Sequence, residues 1–469
     1  MENQFQYIDK IYKEQVGNKY KVAKLTVNER ISYLASLEKA IERHRNAISN
    51  ALHQDFRKSK IEAESTEIFP VLSEIRLFKK KLKQWTKEKS VSNNLVFFGS
   101  KASIQYEPKG NCLILSPWNY PFQLSIIHLI PCIAAGNTAI LKPSEFSPHT
   151  TAVIKQIIAE VFDPQHVAVV EGEVEQTTYL LTKKFDHIHF TGSPKVGKIV
   201  MEAGAKHLSS VTLELGGKSP LIIDDTMPIE TVVSKAMWGK LINNGQTCIA
   251  PDYILIQETR VDEFVKAFVQ HCDQTFNHDP KASTDLARMI NLRNFERVKG
   301  LIEEAITKGA TCPYGNEYDA SDLYIKPTLL TNLHPDSKIL HEEIFGPVFP
   351  IVAYKNIEEA IQFINDREKP LALYVFSKNT QFIEKISTNT SSGALMANET
   401  LLHIMHPNLP FGGVNNSGIG ASTGHNGFLD FSHSKPVLRV NQLLSPTKFI
   451  NYPYTNFTQK IVDLMIKYL

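Results

Sequence analysis

Apolar residues recur at three- and four-residue spacing over 28–54, where Leu34, Leu37, Ile41, Ile48 and Leu52 form one stripe, and again over 61–88. That period predicts two amphipathic helices. The pattern changes over Asn94–Tyr106, where LVFF and ASIQY flank Gly99 and predict a β-hairpin. From Asn111 onward, short apolar runs alternate with helical stretches. CLIL, TAILK, HVAVV and HIHF read as strands. Residues 121–135, 147–162, 173–183 and 195–206 read as helices. The first is closed by Gly136, and the second has Pro148 near its first turn, where a missing N–H costs little. Four βα units in succession predict a parallel, doubly wound sheet, which binds ligands at the carboxyl ends of its strands.

Beyond Val211 the alternation continues with strands at SPLII and YILIQ, helices over 228–243 and 260–276, and strands near 325–332 and 348–354. This predicts a second α/β domain. The tail from Lys448 holds a turn, NYPYTN, and an amphipathic stretch, KIVDLMIKYL. That stretch reads as a helix packed on the body rather than lying on a membrane surface.

Composition narrows the class. A chain of 469 residues needs two or three cores. Hydrophobic residues at 42% and charged residues at 21% exclude disorder. A net charge of +2 offers nucleic acid no basic excess, and Lys79, Lys80, Lys81 and Lys83 read as a solvated helix face. The start, MENQFQYIDKIYKEQ, has no apolar signal-peptide core. The richest apolar run, Phe122–Ala135, is broken by Gln123, His128 and Pro131, well short of the ~18 apolar residues of a membrane span. The five cysteines show no Cys-x-x-Cys spacing, which argues against a metal site or disulfide framework and fits a reducing cytoplasm.

Four motifs carry chemistry. In Asn243-Asn244-Gly245-Gln246-Thr247-Cys248, the cysteine follows a helix and a glycine in a polar loop. Backbone N–H groups there can stabilise a thiolate able to attack a carbonyl, although a lone cysteine is ordinarily a small buried hydrophobe. Glu214, before Leu215-Gly216-Gly217-Lys218, ends the apolar-leaning stretch Val211-Thr212-Leu213. Desolvation would raise its pKa and suit it to general-base work; otherwise it is a surface carboxylate before a turn. Asn119, in Ser116-Pro117-Trp118-Asn119-Tyr120-Pro121, can donate to an oxyanion or simply cap a helix. Phe190-Thr191-Gly192-Ser193-Pro194-Lys195-Val196-Gly197 joins a strand to a helix, as a pyrophosphate site requires, but its Gly-x-x-x-x-Gly spacing is weak evidence alone. In Lys142-Pro143-Ser144-Glu145, after the second strand, the Lys and the Glu can hydrogen-bond ribose hydroxyls.

Taken together and in order, SPWNYP, KPSE, FTGSPKVG, ELGGKSP, NNGQTCIAPDY, EEIFGPV and PFGGVNNSG resemble the aldehyde dehydrogenase superfamily over residues 106–433. APDY after the cysteine, the short N-terminal region and LLHIMHPNLPFGG are most similar to its class 3 branch. The resemblance implies a Rossmann-type dinucleotide-binding domain over 1–90 and 109–212. It further implies a catalytic domain over 213–411, bridging and oligomerisation segments over 91–108 and 412–445, and a tail helix over 446–469. It implies Cys248 as nucleophile, Glu214 as base, and Asn119 with the Cys248 N–H as oxyanion hole. Lys142 and Glu145 would hold the adenosine ribose, and Gly192, Ser193 and Gly197 would approach the pyrophosphate. Trp118, Thr191, Leu215, Gly216, Glu343 and Phe345 would complete the cofactor site.

The implied reaction oxidises an apolar aldehyde (medium- or long-chain aliphatic, aromatic or polyene) to a carboxylate through a thiohemiacetal and a thioester. Glu145 should accept from a ribose 2′-OH and repel a 2′-phosphate, so NAD is expected to be preferred and NADP tolerated. Two other readings stand beside this one: transfer of the acyl group to coenzyme A, and an inactive binding or structural homologue. Glu214 argues against the first, which needs no water-activating base, and Cys248, Glu214 and Asn119 together argue against the second. A minor esterase activity of the same cysteine is compatible with the first reading. The sequence around 94–106 and KPVLRV at 435–440 offer strand edges for pairing with a second subunit, and the branch implies a homodimer. One departure stands out: Gly413-Val414-Asn415-Asn416-Ser417-Gly418 replaces the more usual GGVGxSG, in a loop expected near the substrate entrance or the domain junction.

Overall fold

A computed structural model describes residues 4–468. Two sheets organise it. In the first, the strands run in the order Gly418–Ile419, Ser210–Leu215, His187–Gly192, Asn111–Leu115, Thr138–Lys142, Val167–Val169. All pairs are parallel except the one made by Gly418–Ile419. In the second, the order is Thr311–Tyr314, Thr328–Thr331, Val348–Tyr354, Tyr253–Gln257, Pro220–Ile223, Ala372–Phe376, Ala394–Ala397, parallel except for the first pair.

The helix Pro121–Ala135 lies between the first sheet and the N-terminal helices, and all of its residues are buried. That explains its apolar composition on every side. Pro121 begins it, and Gly136 ends it at φ +96°, where a Cβ would meet the Arg30 guanidinium. Val27–Phe56 starts with a capping box between Thr26 and Glu29 and packs on Pro148–Val161 and Phe69–Trp85.

Three differences from the sequence reading have physical causes. First, Gln4–Ala23 is a helix that buries Ile8, Ile11, Gln15 and Val22. Its stripe is thin and partly polar: Gln15 donates to the carbonyls of Ala139 and Pro164, so a polar side chain does the docking. Second, Leu95–Phe97 forms a 3₁₀ turn, not a strand. The strand Lys101–Pro108 pairs instead with Lys89–Val91 and, on its other side, with Ser432–Arg439. It is therefore the centre of a three-stranded sheet, and the free edges belong to its two neighbours.

Third, the helix Asn456–Tyr468 buries only Thr458, while Phe457, Leu464 and Ile466 are exposed. The packing on the body is only partial: Ile461, Val462 and Met465 are half-buried, and the other apolar side chains stay in solvent; Leu469 lies outside the described residues. The segment after Gly413 lies at the domain junction, one of the two places expected for it: Asn415 accepts from Lys369, just before the second-sheet strand Ala372–Phe376. Gly418–Ile419 adds to the edge of the first sheet beside Leu213 and Glu214. Among the described residues, no helix is long and apolar enough to cross a membrane.

Candidate active site

The loop Asn243–Cys248 follows the helix Ile229–Leu241 through three consecutive left-handed residues, with φ of +51°, +53° and +77° at Asn243, Asn244 and Gly245. Asparagine and glycine are the residues that tolerate this conformation, which explains the Asn-Asn-Gly run. A Cβ at Gly245 would collide with the Gly346 carbonyl. The loop is pinned on every side. The Asn243 N–H donates to Glu62 at 2.7 Å, and the Gln246 amide bonds the carbonyls of Asn243 and Arg288 and the Ile290 N–H. Tyr120 and Thr247 share a 2.8 Å hydrogen bond between their hydroxyls.

Asn119 is buried, and its side-chain amide donates to the Gln246 carbonyl at 3.0 Å. An amide nitrogen carries two hydrogens, so one remains for a ligand. The Asn119 carbonyl accepts from Asn243 Nδ2 and from Lys58 Nζ. Lys58 and Glu67, both with fully buried side chains, form an ion pair of 2.6 Å. The other Glu67 oxygen accepts from the N–H groups of Phe122 and Gln123, at the start of the helix that follows Asn119. Sequence reading missed Lys58 and Glu67 because their role depends on contacts about 60 residues away.

Two cavities meet here. One, of about 250 Å³, is lined by Trp118, Asn119, Thr191, Gly192, Ser193, Glu214, Leu215, Gly216, Cys248, Asn294, Arg297, Glu343 and Phe345. The other, of about 380 Å³, is mostly apolar, with Phe69, Tyr120, Leu124, Trp238, Ile242, Leu401, Leu402, Ile404, Met405 and Phe411 on its walls. Thr191, Glu214 and Cys248 line both. The predicted nucleophile, base and amide donor are thus brought together.

Burial, then the Glu343 and Glu214 carboxylates, push the Cys248 thiol up; the N–H groups of Cys248 and Ile249 pull it down but do not win. The thiolate stabilisation expected from backbone N–H groups is present and outweighed, because two carboxylates share the site. Glu214 is buried at the end of its strand, where it accepts from Ser422 Oγ. Burial raises its pKa, opposed by His189 and Ser422. Ser422 comes from the segment that closes the sheet edge, and nothing in the local sequence marked it.

On the cofactor side, Ser193 caps the helix Pro194–His207, leaving an exposed positive helix end beside Gly192. A Cβ on Gly216 would run into the Glu343 carboxylate. Burial pushes Glu343 up to about 7. Arg297 holds the carbonyls of Glu343 and Ile344, and Lys218 those of Ile339 and Glu342, so the whole EEIFGPV turn is fixed. Phe345, at φ +51°, meets Trp118 edge to face at 5.4 Å. The Thr191 hydroxyl, buried and without a hydrogen bond, lines both cavities and is free to bond a ligand. Donor-rich backbone, an open helix N-terminus and a buried carboxylate suit a nicotinamide dinucleotide.

Three predicted cofactor residues lie outside this cavity. Lys142 and Glu145 sit past the end of the strand Thr138–Lys142, where Lys142 Nζ bonds the Pro143 carbonyl and lies 3.6 Å from Glu145. Gly197 is buried against Leu215, whose side chain a Cβ would strike at 2.8 Å, so its place is one of helix–strand packing.

A profile of the aldehyde dehydrogenase family matches residues 5–437. Aldehyde dehydrogenase family 3 member A2 of Rattus norvegicus is 44% identical over 424 residues, 90% of this chain and 87% of that protein. The 4,4′-diaponeurosporen-aldehyde dehydrogenase of Staphylococcus aureus is 43% identical over 409 residues, 87% of this chain and 88% of that protein. A solved structure described as the substrate-bound state of Staphylococcus aureus AldH superposes with a TM-score of 0.94 at 39% identity, covering 98% of this chain and 99% of that one.

Proposed function

Because the chain belongs to the aldehyde dehydrogenase family, we propose that it oxidises an apolar aldehyde to its carboxylate through a covalent adduct on Cys248. The observation that carries this reading is the position of Cys248 and Glu214 on the shared wall of an apolar and a polar cavity. The apolar walls exclude water from the reacting carbon and favour aliphatic, aromatic or polyene substrates. The relatives' names, which specify a diaponeurosporen aldehyde in one case, fit that class.

The Cys248 thiol gives its proton to Glu214, which releases it to water, and the sulfur adds to the aldehyde carbon; the free hydrogen of the Asn119 amide and the Cys248 N–H stabilise the oxyanion, an effect of about 2.7–4 kcal/mol for one such donor. A nicotinamide dinucleotide, which Trp118, Gly192, Ser193, Gly216 and Phe345 would hold, would supply the hydride acceptor needed to oxidise the adduct to a thioester. Glu214 then removes a proton from water, which attacks the thioester carbon, and the C–S electron pair returns to sulfur. The protein keeps the base buried so that its pKa rises toward neutrality. Residues 1–90 and 109–212 form the cofactor half of this machine and 213–411 the catalytic half.

NAD is the preferred cofactor and NADP is accepted. Glu145 is available to a ribose hydroxyl, while its pairing with Lys142 tempers the repulsion of a phosphate. A homodimer paired through the exposed edges Lys89–Val91 and Ser432–Arg439 is the expected assembly. The deciding experiment follows NADH formation against a chain-length series of aldehydes, with Cys248→Ala in parallel and coenzyme A added and omitted. Turnover without coenzyme A that rises with apolar length and vanishes in the variant supports the reading. Turnover that persists in Cys248→Ala overturns it.

A further inference from the structure

Side chains two apart on a strand share a face. Ser210, Thr212 and Glu214 therefore line one face of their strand, and His187, His189 and Thr191 line the same face of the next, in the register His187 with Ser210, His189 with Thr212 and Thr191 with Glu214. This is a polar strip about 13 Å long at ~3.3 Å per residue, running from exposed Ser210 to the buried base. The covering helices add His128 and Asp430, each from an otherwise apolar face.

The contacts are continuous. His128 Nε2 lies 3.5 Å from Glu214, and the His128 and His189 ring centres lie 3.9 Å apart at a tilt of 32°. Ligand-capable atoms of His128, His189 and Glu214 all lie within 4.8 Å of one another, a gap that one water can bridge. His189 Nδ1 is 3.7 Å and His187 Nε2 3.4 Å from the same Asp430 oxygen, whose partner oxygen accepts from Thr212. His187 Nδ1 reaches Ser210 Oγ at 2.9 Å and Lys109 Nζ at 3.2 Å.

His128 Nε2, His187 Nε2, both His189 nitrogens and Asp430 Oδ2 are buried without a hydrogen bond. Buried polar atoms are rarely left so, and their concentration along one line demands a role. Among the titratable groups around the strip, Lys109, Cys112 and Cys132 complete the far end. Burial lowers the His128 and His187 imidazoles, and Asp430, although burial raises it, is held well below the usual range by His187 and His189.

We propose that this strip is a proton exit, through which Glu214 passes the proton it takes from the hydrolytic water, by way of His128 and His189, Asp430 and His187, to solvent at Ser210 and Lys109. Hydrolysis breaks a water O–H bond, forms a C–O bond and leaves the proton on Glu214. That proton must leave before the next turnover, and the apolar substrate cavity offers few groups to carry it. Each imidazole accepts a proton on one nitrogen and releases one from the other, so no net charge is stored. His128, His187, His189 and Asp430 are positioning and conducting groups; none touches the reacting carbon.

The inference rests on Glu214 as the deacylating base, and Glu214→Gln tests that separately. An NADH burst with no subsequent turnover upholds the base, and normal turnover removes it whatever the strip does. The strip is tested by His189→Gln and His187→Gln, which keep size and polarity but cannot take up a proton. Decay of the acyl-enzyme is measured by rapid quench after a single turnover. The expected result is an intact burst, decay slowed at least tenfold, and a decay rate that rises linearly with the concentration of a small added buffer. Decay at the wild-type rate in both folded variants, or loss of the burst with decay indifferent to buffer, overturns the proposal. If His189→Gln does not fold, His187→Gln decides, since it lies at the far end from Glu214.

Discussion

Lys58→Met is the perturbation whose cost the structure defines best. The ammonium is fully buried, 2.6 Å from Glu67, 3.1 Å from the Asn119 carbonyl and 4.2 Å from the Tyr120 ring centre. Removing it leaves Glu67 charged in the core with only two N–H donors. Breaking a buried pair in this way costs about 3–5 kcal/mol. Glu67→Met strands the lysine and costs about the same, and it also orphans two helix N–H groups at about 1–3 kcal/mol each. In Lys58→Met/Glu67→Met neither member of the pair is left without the other, so the double variant should be more stable than the sum of the singles predicts by at least about 3 kcal/mol. Urea unfolding of the four proteins measures this coupling. Activity provides a second reading. Asn119 loses one of its two carbonyl partners in Lys58→Met, and a displacement of about 1 Å would lower kcat/KM roughly a hundredfold. Singles that add to the double within about 0.5 kcal/mol would refute the reasoning, because the pair would then be energetically independent.

Glu214→Gln should retain the first-turnover NADH burst and lose about 10²–10⁴-fold in steady-state rate, as stopped-flow fluorescence will report. If Glu214 is the deacylating base it works only when ionised, so deacylation should rise with pH through a pKa above the ordinary carboxylate value; a rise centred at or below that ordinary value would contradict this. Glu74 is buried with its carboxylate accepting from the Gly424 N–H, and burial pushes it up to about 7. Its folded pKa thus exceeds its unfolded value, so the stability it contributes at low pH is lost as pH rises through 7, by at most about 3 kcal/mol. Glu74→Gln should therefore raise Tm relative to wild type more at pH 8 than at pH 5, and an equal difference at both would exclude the mechanism. Glu145→Gln should raise the ratio of kcat/KM for NADP to that for NAD several-fold, measured by NADPH and NADH formation.

The parallel alternation from Asn111 to Val211 was readable because each strand and helix declares itself within ten residues, and Pro121 and Gly136 punctuate the central helix almost to the residue. The chemistry-bearing residues were readable for the same reason: Asn-Asn-Gly before Cys248 states a backbone requirement in its composition. What escaped was relational. Gln15 docks a helix by hydrogen bonds to carbonyls more than 120 residues away. Ser422 reaches Glu214 across 208 residues. The rise of the Cys248 thiol follows from two carboxylates that only the fold brings near. The period-2 placement of His187 and His189 was visible, but not the helices that would bury them. The hairpin failed because LVFF looks like a strand by composition, whereas its pairing partner was already taken by Ser432–Arg439.

Cavities that share one wall and differ in every other residue give the two reactants separate doors. Traffic through one need not wait for the other. On the proposed mechanism, a reduced dinucleotide would be able to depart and a fresh one arrive while an acyl group still occupied Cys248, and a long, slow-leaving product would not trap the coenzyme behind it. The order of release is thus left to the relative affinities of two independent openings, and a bulky inhibitor lodged in one should leave exchange through the other undisturbed.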